Sequence, residues 1–185
     1  IAASKGAVVI DNSSAWRMDP TLPLVVPEVN PGDIRGYGII ANPNCSTIQS
    51  IIPLKALDDV YGLKRVSYTT YQSVSGSGMK GLKDLENTLQ GQPNEFYPYP
   101  IAKTCVPEID SFLDDGYTKE EMKMVNETRK ILHLPNLPVS ATCIRVPIKS
   151  CHGVMMQVEL EKEFELSEVK EALKNQKGVM LYDDV

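Results

Sequence analysis

Basic residues are in deficit in this chain. Nineteen Lys and Arg stand against 24 Asp and Glu, for a net charge of −5, and the sequence pI is near 5.1. No basic cluster is left to grip nucleic acid or an anionic membrane surface, so neither is expected as a partner. No apolar stretch approaches the length of a bilayer span, and none has the form of a signal peptide. Cysteine occurs at 45, 105, 143 and 151, never in C-x-x-C spacing, and the only histidines are His133 and His152. No metal site is expected from that set, and reduced thiols in a cytoplasmic protein are the default. Internal repeats and low-complexity tracts are missing too. What remains is ordinary: 185 residues, 42% hydrophobic and 23% charged. That allows one domain, or one domain with a piece of another, around a real core. The chain opens on Ile1 rather than Met and runs at once into a buried-strand pattern, so a fragment that starts inside a domain is expected.

Residues 7–10, an unbroken apolar run, read as a parallel strand covered on both faces. A polar loop carrying Trp16, Arg17, Met18 and Asp19 follows, then a proline-punctuated extended stretch with Pro20, Pro23, Pro27 and Pro31. Residues 38–41 read as a short buried strand and 48–60 as a helix that Pro53 should kink or restart. Between them lies Asn42-Pro43-Asn44-Cys45-Ser46-Thr47. Cys45 is thereby expected at a strand-to-helix turn, beside unpaired amides and the positive end of a helix dipole, where a thiol ionises more easily. The alternative is a small buried cysteine that only packs.

Further on, residues 64–75 alternate like a half-exposed strand, with Val66, Tyr68, Thr70, Gln72 and Val74 on one side. A helix is expected over 79–89 from its Met79, Leu82, Leu85 and Leu89 spacing, and a Tyr- and Pro-rich loop over 90–107. Thr118-Lys119-Glu120-Glu121 is a capping box opening a helix to Leu132, with Met124, Val125, Thr128, Ile131 and Leu132 inward. Residues 139–148 and 153–161 read as strands joined closely enough to form an antiparallel pair, and Ser167 as the cap of a last helix over 168–176. Without steady βαβ alternation after Cys45, the fold class is α+β rather than doubly wound.

Several other residues could carry chemistry. Residues 76–81 contain a literal G-x-G-x-x-G, but the strand before it alternates, whereas the dinucleotide fingerprint follows a fully buried one. A tight glycine loop that lets backbone approach a ligand is the better reading. Gln72 at its mouth can donate and accept hydrogen bonds near a carbonyl intermediate. Glu120 and Lys123 share a helix face, either as a surface ion pair or as two substrate contacts. Arg145 stands in an otherwise apolar strand and needs a carboxylate or phosphate partner, either internal or on a ligand. Seven residues later His152 offers the imidazole that a thiol nucleophile requires. His133, at a helix C-terminus, reads as a favourable end charge. Arg17 lies on a loop past the C-terminal end of the first strand, where α/β sheets bind ligands; the simpler reading is a pair with Asp19.

Together these stretches closely resemble aspartate-β-semialdehyde dehydrogenases. The resemblance is carried by residues 6–19, 42–47, Tyr71-Gln72-Ser73-Val74-Ser75-Gly76-Ser77-Gly78, Glu120-Glu121-Met122-Lys123, and Arg145-Val146-Pro147 with His152. It runs in order over nearly the whole chain. It implies that residues 1–43 are the remnant of a dinucleotide-binding domain and 44–185 a catalytic and dimerisation domain. The implied fold is a mixed, largely antiparallel sheet with helices on one face, preceded by the last strands of a Rossmann-type α/β domain. A nucleotide-binding segment before Ile1 and a C-terminal segment after Val185 are implied as well.

The implied reaction is NADP-linked reductive dephosphorylation of β-aspartyl phosphate to the semialdehyde, within lysine, threonine and methionine biosynthesis. By the resemblance Cys45 is the nucleophile that forms a thioester, His152 the general acid/base, and Gln72 the holder of the acyl intermediate. Arg145 suits the substrate α-carboxylate and Glu120 its α-ammonium. Arg17, Asn44 and Lys123 gather the phosphate, and Ser75 and Gly76 lie where a cofactor-contacting loop is expected. A homodimer is implied. Two departures stand out: Cys151 and Gly153 flank His152 where the family has a small residue and a serine, and residues 101–107 differ from the usual version. The competing expectations are an N-acetyl-γ-glutamyl-phosphate reductase, and, for these 185 residues by themselves, a silent substrate-binding and dimerisation module.

Overall fold

A computed structural model describes residues 1–36 and 38–183. The chain divides into two compact units, the first made of residues 1–66, 123–139 and 158–185, the second of 67–122 and 140–157.

In the first unit, β1 (Val8–Asp11) pairs in parallel with β2 (Gly38–Ala41), Val8 opposite Gly38 and Asp11 opposite Ala41. The parallel pairing is as expected, but the double cover is not: Val8 is 53% and Ile10 76% exposed. Among the described residues that face of β1 stays exposed. The proline-rich stretch contributes to the core instead of skirting it. Leu24 bridges Ala41, and Asn30 ties the segment down from within, accepting from the Val26 amide and donating to the Leu24 carbonyl. Leu24, Val26, Ala41, Ile51, Leu54, Met124 and Ile131 form the driest part of this unit.

Helix α1 (Cys45–Tyr61) runs unbroken through Pro53. One missing amide costs a single intrahelical hydrogen bond, and Ile51, Leu54 and Leu57, buried on both sides of the proline, hold the turn in place. Gly62, at φ 73°, ends the helix. Helix α4 (Leu166–Asn175) packs on α1. Its N-cap is Glu165, without a side-chain hydrogen bond, and Ser167 lies inside the first turn rather than capping it.

The second unit is built around Tyr68, Val74, Leu85, Tyr97, Ile101 and Val106. Helix α2 (Gly78–Leu89) supplies Leu85 to this core, together with Asp84. That buried carboxylate accepts from the amides of Glu95, Phe96 and Tyr97 and so fixes the loop after the helix. The capping box is present as read: Thr118 and Glu121 exchange side-chain-to-backbone hydrogen bonds at the start of α3 (Lys119–Ile131).

The remaining strands are β3 (Leu63–Gln72), β4 (Val139–Arg145) and β5 (His152–Leu160), in the order β4-β3-β5. Together with the helices they make the mixed α+β architecture expected from the sequence. Contacts from Val66/Pro138 to Gln72/Val146 advance together, which makes β3 and β4 parallel. Tyr61/Lys162 and Gly62/Glu161 run in opposite senses, as in an antiparallel pair. The expected β4–β5 pair is therefore corrected, because β3 lies between them. The connection through residues 146–149 crosses the end of β3, with Val146 donating to Gln72, Val74 to Ile148 and Ser75 to Lys149. The alternation predicted for β3 holds: Val66, Tyr68, Thr70 and Gln72 are buried, as is Val74 just beyond. The strand stops at Gln72 rather than Ser75, giving way to a 3-10 turn over Val74–Ser77. Among the described residues no helix is long and apolar enough to cross a membrane.

Candidate active site

The Asn42-Pro43-Asn44-Cys45 stretch turns directly from β2 into α1. Asn44 is the N-cap, its Oδ1 accepting from the Ser46 and Thr47 amides. Cys45 is the first helical residue and is exposed, while Asn44, Ser46 and Thr47 around it are buried. A thiol is thus presented at the positive end of a 17-residue helix, the setting that favours its anion. The bland alternative, a cysteine packed in the core, does not describe it.

Behind this turn lies a residue the sequence reading missed. Glu127, 1% exposed, accepts from the Asn44 amide at 2.6 Å through Oε2 and from Arg17 Nη1 at 3.1 Å through Oε1. Arg17 also donates to the Asn12 carbonyl at 3.0 Å, and its Nε is buried without a partner. Asp19, the simpler partner read for Arg17, is engaged elsewhere. It accepts from the Thr21 hydroxyl and amide, which hold its carboxyl below the usual range. The clue to Glu127 was available: it falls on the inward arc of α3 with Met124, Thr128 and Ile131, where a carboxylate has no business unless paired. Lys123, on α3 with Glu127 and in the same unit as Cys45, is half-buried.

The second unit gathers Gln72, Glu120, Arg145, His152, Ser75 and Gly76. Glu120 is buried, which removes the surface-pair reading, and its Oε1 accepts from Gln72 Nε2 at 3.2 Å. Arg145, at the end of β4 and 5% exposed, donates through Nη1 to the Ser73 carbonyl at 2.6 Å. Gly76 leaves room for that guanidinium, since a Cβ there would sit 2.8 Å from Nη1 and push it aside. Gly81 is required by the Val74 carbonyl, which a Cβ would meet at 2.5 Å. Two glycines of the G-x-G-x-x-G thus have packing reasons, as a loop reading expects. Arg145 also borders a cavity of ≈ 340 Å³ with Ser77, Phe96, Tyr97, Glu108 and Asp110.

His152 opens β5. Its Nδ1 faces the main chain: the Ser73 amide donates to it at 3.0 Å, and the Cys151 carbonyl, an acceptor, lies 2.9 Å away, so these two contacts favour opposite tautomers and leave Nε2 as the nitrogen away from the main chain. Burial pushes its pKa below the ordinary 6.5, aided by the Arg145 charge and opposed by the Cys151 carbonyl and Glu120. One residue, Ser73, therefore holds both the imidazole and the guanidinium through its backbone. Its hydroxyl meets that of Ser75 at 2.9 Å. Cys143 is a spectator: burial pushes its thiol up to about 12, and Thr70 and Gln72 only partly offset this. His133 pairs with Asp33 at 3.1 Å. Among the described residues no group of three or more His, Cys, Asp or Glu is placed to hold a metal ion. Arg17, Asn44 and Cys45 thus come together in the first unit, and the remaining site residues apart from Lys123 in the second.

Comparison with known proteins adds the following. A family described as "Semialdehyde dehydrogenase, dimerisation domain" matches residues 54–185, and one described as "Semialdehyde dehydrogenase, NAD binding domain" matches residues 1–37. The chain is 52% identical to an aspartate-semialdehyde dehydrogenase of Aquifex aeolicus, over 98% of this chain and 56% of that protein. It is 50% identical to that of Campylobacter jejuni, over 99% and 56%. The crystal structure of aspartate semialdehyde dehydrogenase II complexed with ASA from Vibrio cholerae superimposes with a TM-score of 0.92 at 46% identity, covering 98% of this chain and 56% of that one. The chain thus spans little more than half the length of the relatives it matches.

Proposed function

The chain belongs to the semialdehyde dehydrogenase family, and from that premise we propose that the protein carries out the reductive dephosphorylation of L-aspartyl-4-phosphate to L-aspartate-4-semialdehyde, reversibly. The observation that carries this reading is the exposed Cys45 thiol at the capped start of α1. As a thiolate it attacks the acyl phosphate, the C–O bond to phosphate breaks, and a thioester remains on sulfur. Asn44, Arg17 and Lys123 gather the departing phosphate. Gln72 holds the acyl group. Arg145 takes the α-carboxylate with its two-pronged fork, and Glu120 the α-ammonium. His152 moves a proton to or from the substrate oxygen or the thiol, and does so through Nε2 because Nδ1 is engaged by Ser73.

NADP, when bound, supplies the hydride that takes the thioester to the aldehyde level. Ser75 and the exposed Gly76, on a turn without a side chain in the way, are proposed to contact it. The match of residues 1–37 to an NAD-binding domain supports a nicotinamide cofactor, and the preference for NADP over NAD is part of this proposal. So are a cytoplasmic homodimer and a domain division after Pro43.

The second reading, an N-acetyl-γ-glutamyl-phosphate reductase, shares the thioester chemistry. The buried Glu120 argues against it, because an acetylated amine offers a carboxylate no charge to pair with. The test compares phosphate-dependent NADP reduction by the protein at its full encoded length with the two semialdehydes. Preference for aspartate semialdehyde is expected, and Cys45→Ser is expected to lower the rate by about a thousand-fold or more with the fold intact, since a hydroxyl is a far poorer nucleophile at neutral pH. Preference for the acetylated substrate, or an active Cys45→Ser variant, overturns the reading.

A further inference from the structure

We propose that Glu127 is the positioning residue of the Cys45 turn, its carboxylate fixing the main chain at Asn44 and holding Arg17 in the same knot. This rests on the reading of Cys45 as the nucleophile. Glu127 is almost fully buried, and each of its oxygens has its own donor: Oε1 takes Arg17 Nη1 at 3.1 Å and Oε2 takes the Asn44 amide at 2.6 Å. A hydrogen bond that short to a buried carboxylate is of the charge-assisted kind. Asn44 is held from the other side as well, because its own Oδ1 is committed to the Ser46 and Thr47 amides. The residue before Cys45 is therefore clamped both at its backbone and at its side chain. A third contact ties the same turn to α3, where the Thr47 hydroxyl meets Met124 Sδ at 3.3 Å.

The charges fit this role. A carboxylate alone beside the start of α1 would oppose a thiolate there. Arg17 cancels it, so the helix amides remain available to the sulfur. Arg17 in turn spends Nη1 on Glu127 and Nη2 on the Asn12 carbonyl. Glu127 touches neither substrate nor cofactor in the proposed reaction; it acts through Asn44.

The test uses Glu127→Gln and Glu127→Ala in the protein at its full encoded length, measuring kcat and KM for aspartate semialdehyde together with the thermal midpoint. Gln keeps the volume and one oxygen for the Asn44 amide, whereas Ala keeps neither. The expected order of kcat is wild type, Gln, Ala, with Ala down about 100-fold, the effect of a misplacement of roughly 1 Å at a reacting atom. KM for the semialdehyde is expected to stay within roughly two-fold, because the lost interaction is not made to substrate. A residue that only stabilises the fold would lower the midpoint and leave kcat per folded molecule alone. The proposal is overturned if both folded variants keep kcat within about two-fold of wild type, or if KM rises while kcat stays. It is also overturned if Glu127→Gln, which preserves volume, fails to fold. Cys45→Ser run alongside separates the two claims. Its inactivity, with both Glu127 variants turning over normally, defeats this assignment alone; its activity defeats the nucleophile reading and this assignment with it.

Discussion

At the scale of single residues the site is governed by which atom of each side chain is already taken. His152 has its Nδ1 taken up by the main chain, with the Ser73 amide at 3.0 Å and the Cys151 carbonyl at 2.9 Å. Burial lowers its pKa, so the ring is neutral through the physiological range. The sign for stability follows. An unfolded chain binds this proton near pH 6.5 while the folded one does so only at lower pH, so His152 destabilises the fold as pH falls through about 6.5 and is without effect well above it. In ¹⁵N spectra of labelled histidine its titration midpoint is expected below that of a histidine in a short peptide. A midpoint above 6.5 would remove burial of the ring as the dominant influence on it. Cys45, Arg145 and His152 were legible in the sequence because their residue types are costly or reactive wherever they stand. Ser73 was not, since it acts through its backbone, and every residue has one. The simpler alternative for Arg17, a pair with Asp19, rested on closeness in sequence and does not hold. Asp19 closes its own turn on Thr21, and the real partner is 110 positions away.

Among the elements, the turn over Val74–Ser77 does the most with the least. It follows β3, and its Gly76 leaves room for Arg145 Nη1. Gly76→Ala would place a Cβ 2.8 Å from that nitrogen, and the end of a guanidinium is easier to displace than backbone. The expected result is a rise in KM for aspartate semialdehyde by roughly ten-fold, from loss of the proposed two-pronged carboxylate contact, with little change in thermal midpoint. A KM equal to wild type would separate Arg145 from the α-carboxylate. The strands and helices themselves were largely readable, since β3 and α3 obey their periods of 2 and 3.6 along their whole buried faces. What periodicity cannot reveal is neighbour order. The short link from β4 to β5 promised a hairpin, yet it passes over the end of β3, using amides and carbonyls of residues 72–75 and 146–149 that carry no signal of their own. Pro53 misled in the opposite way. Its local cost is real, and the buried leucine and isoleucine on either side outweigh it.

For the whole molecule the limiting question is what these 185 residues can do unaided. They span 56% of the length of the Aquifex relative, and only residues 1–37 match the family's NAD-binding domain. Val8 and Ile10 leave one face of β1 open, and Trp16 and Met18 in the following loop are also exposed. Apolar side chains on a parallel strand are ordinarily covered on both faces, and a strand pair of four residues each is too small to build a cofactor crevice at its carboxyl ends. The chemistry divides accordingly. In the proposed reaction, thioester formation would use Cys45 and the proposed substrate and phosphate contacts, all of them residues of this chain, whereas hydride transfer would need a cofactor held in register. Mixed with aspartyl phosphate and NADPH, the 185-residue chain is therefore expected to leave the 340 nm absorbance of NADPH unchanged within one turnover, while the protein at its full encoded length consumes it. Oxidation of one equivalent of NADPH by the shorter chain would mean that these 185 residues suffice to hold the nicotinamide, and that the division of labour proposed after Pro43 is false.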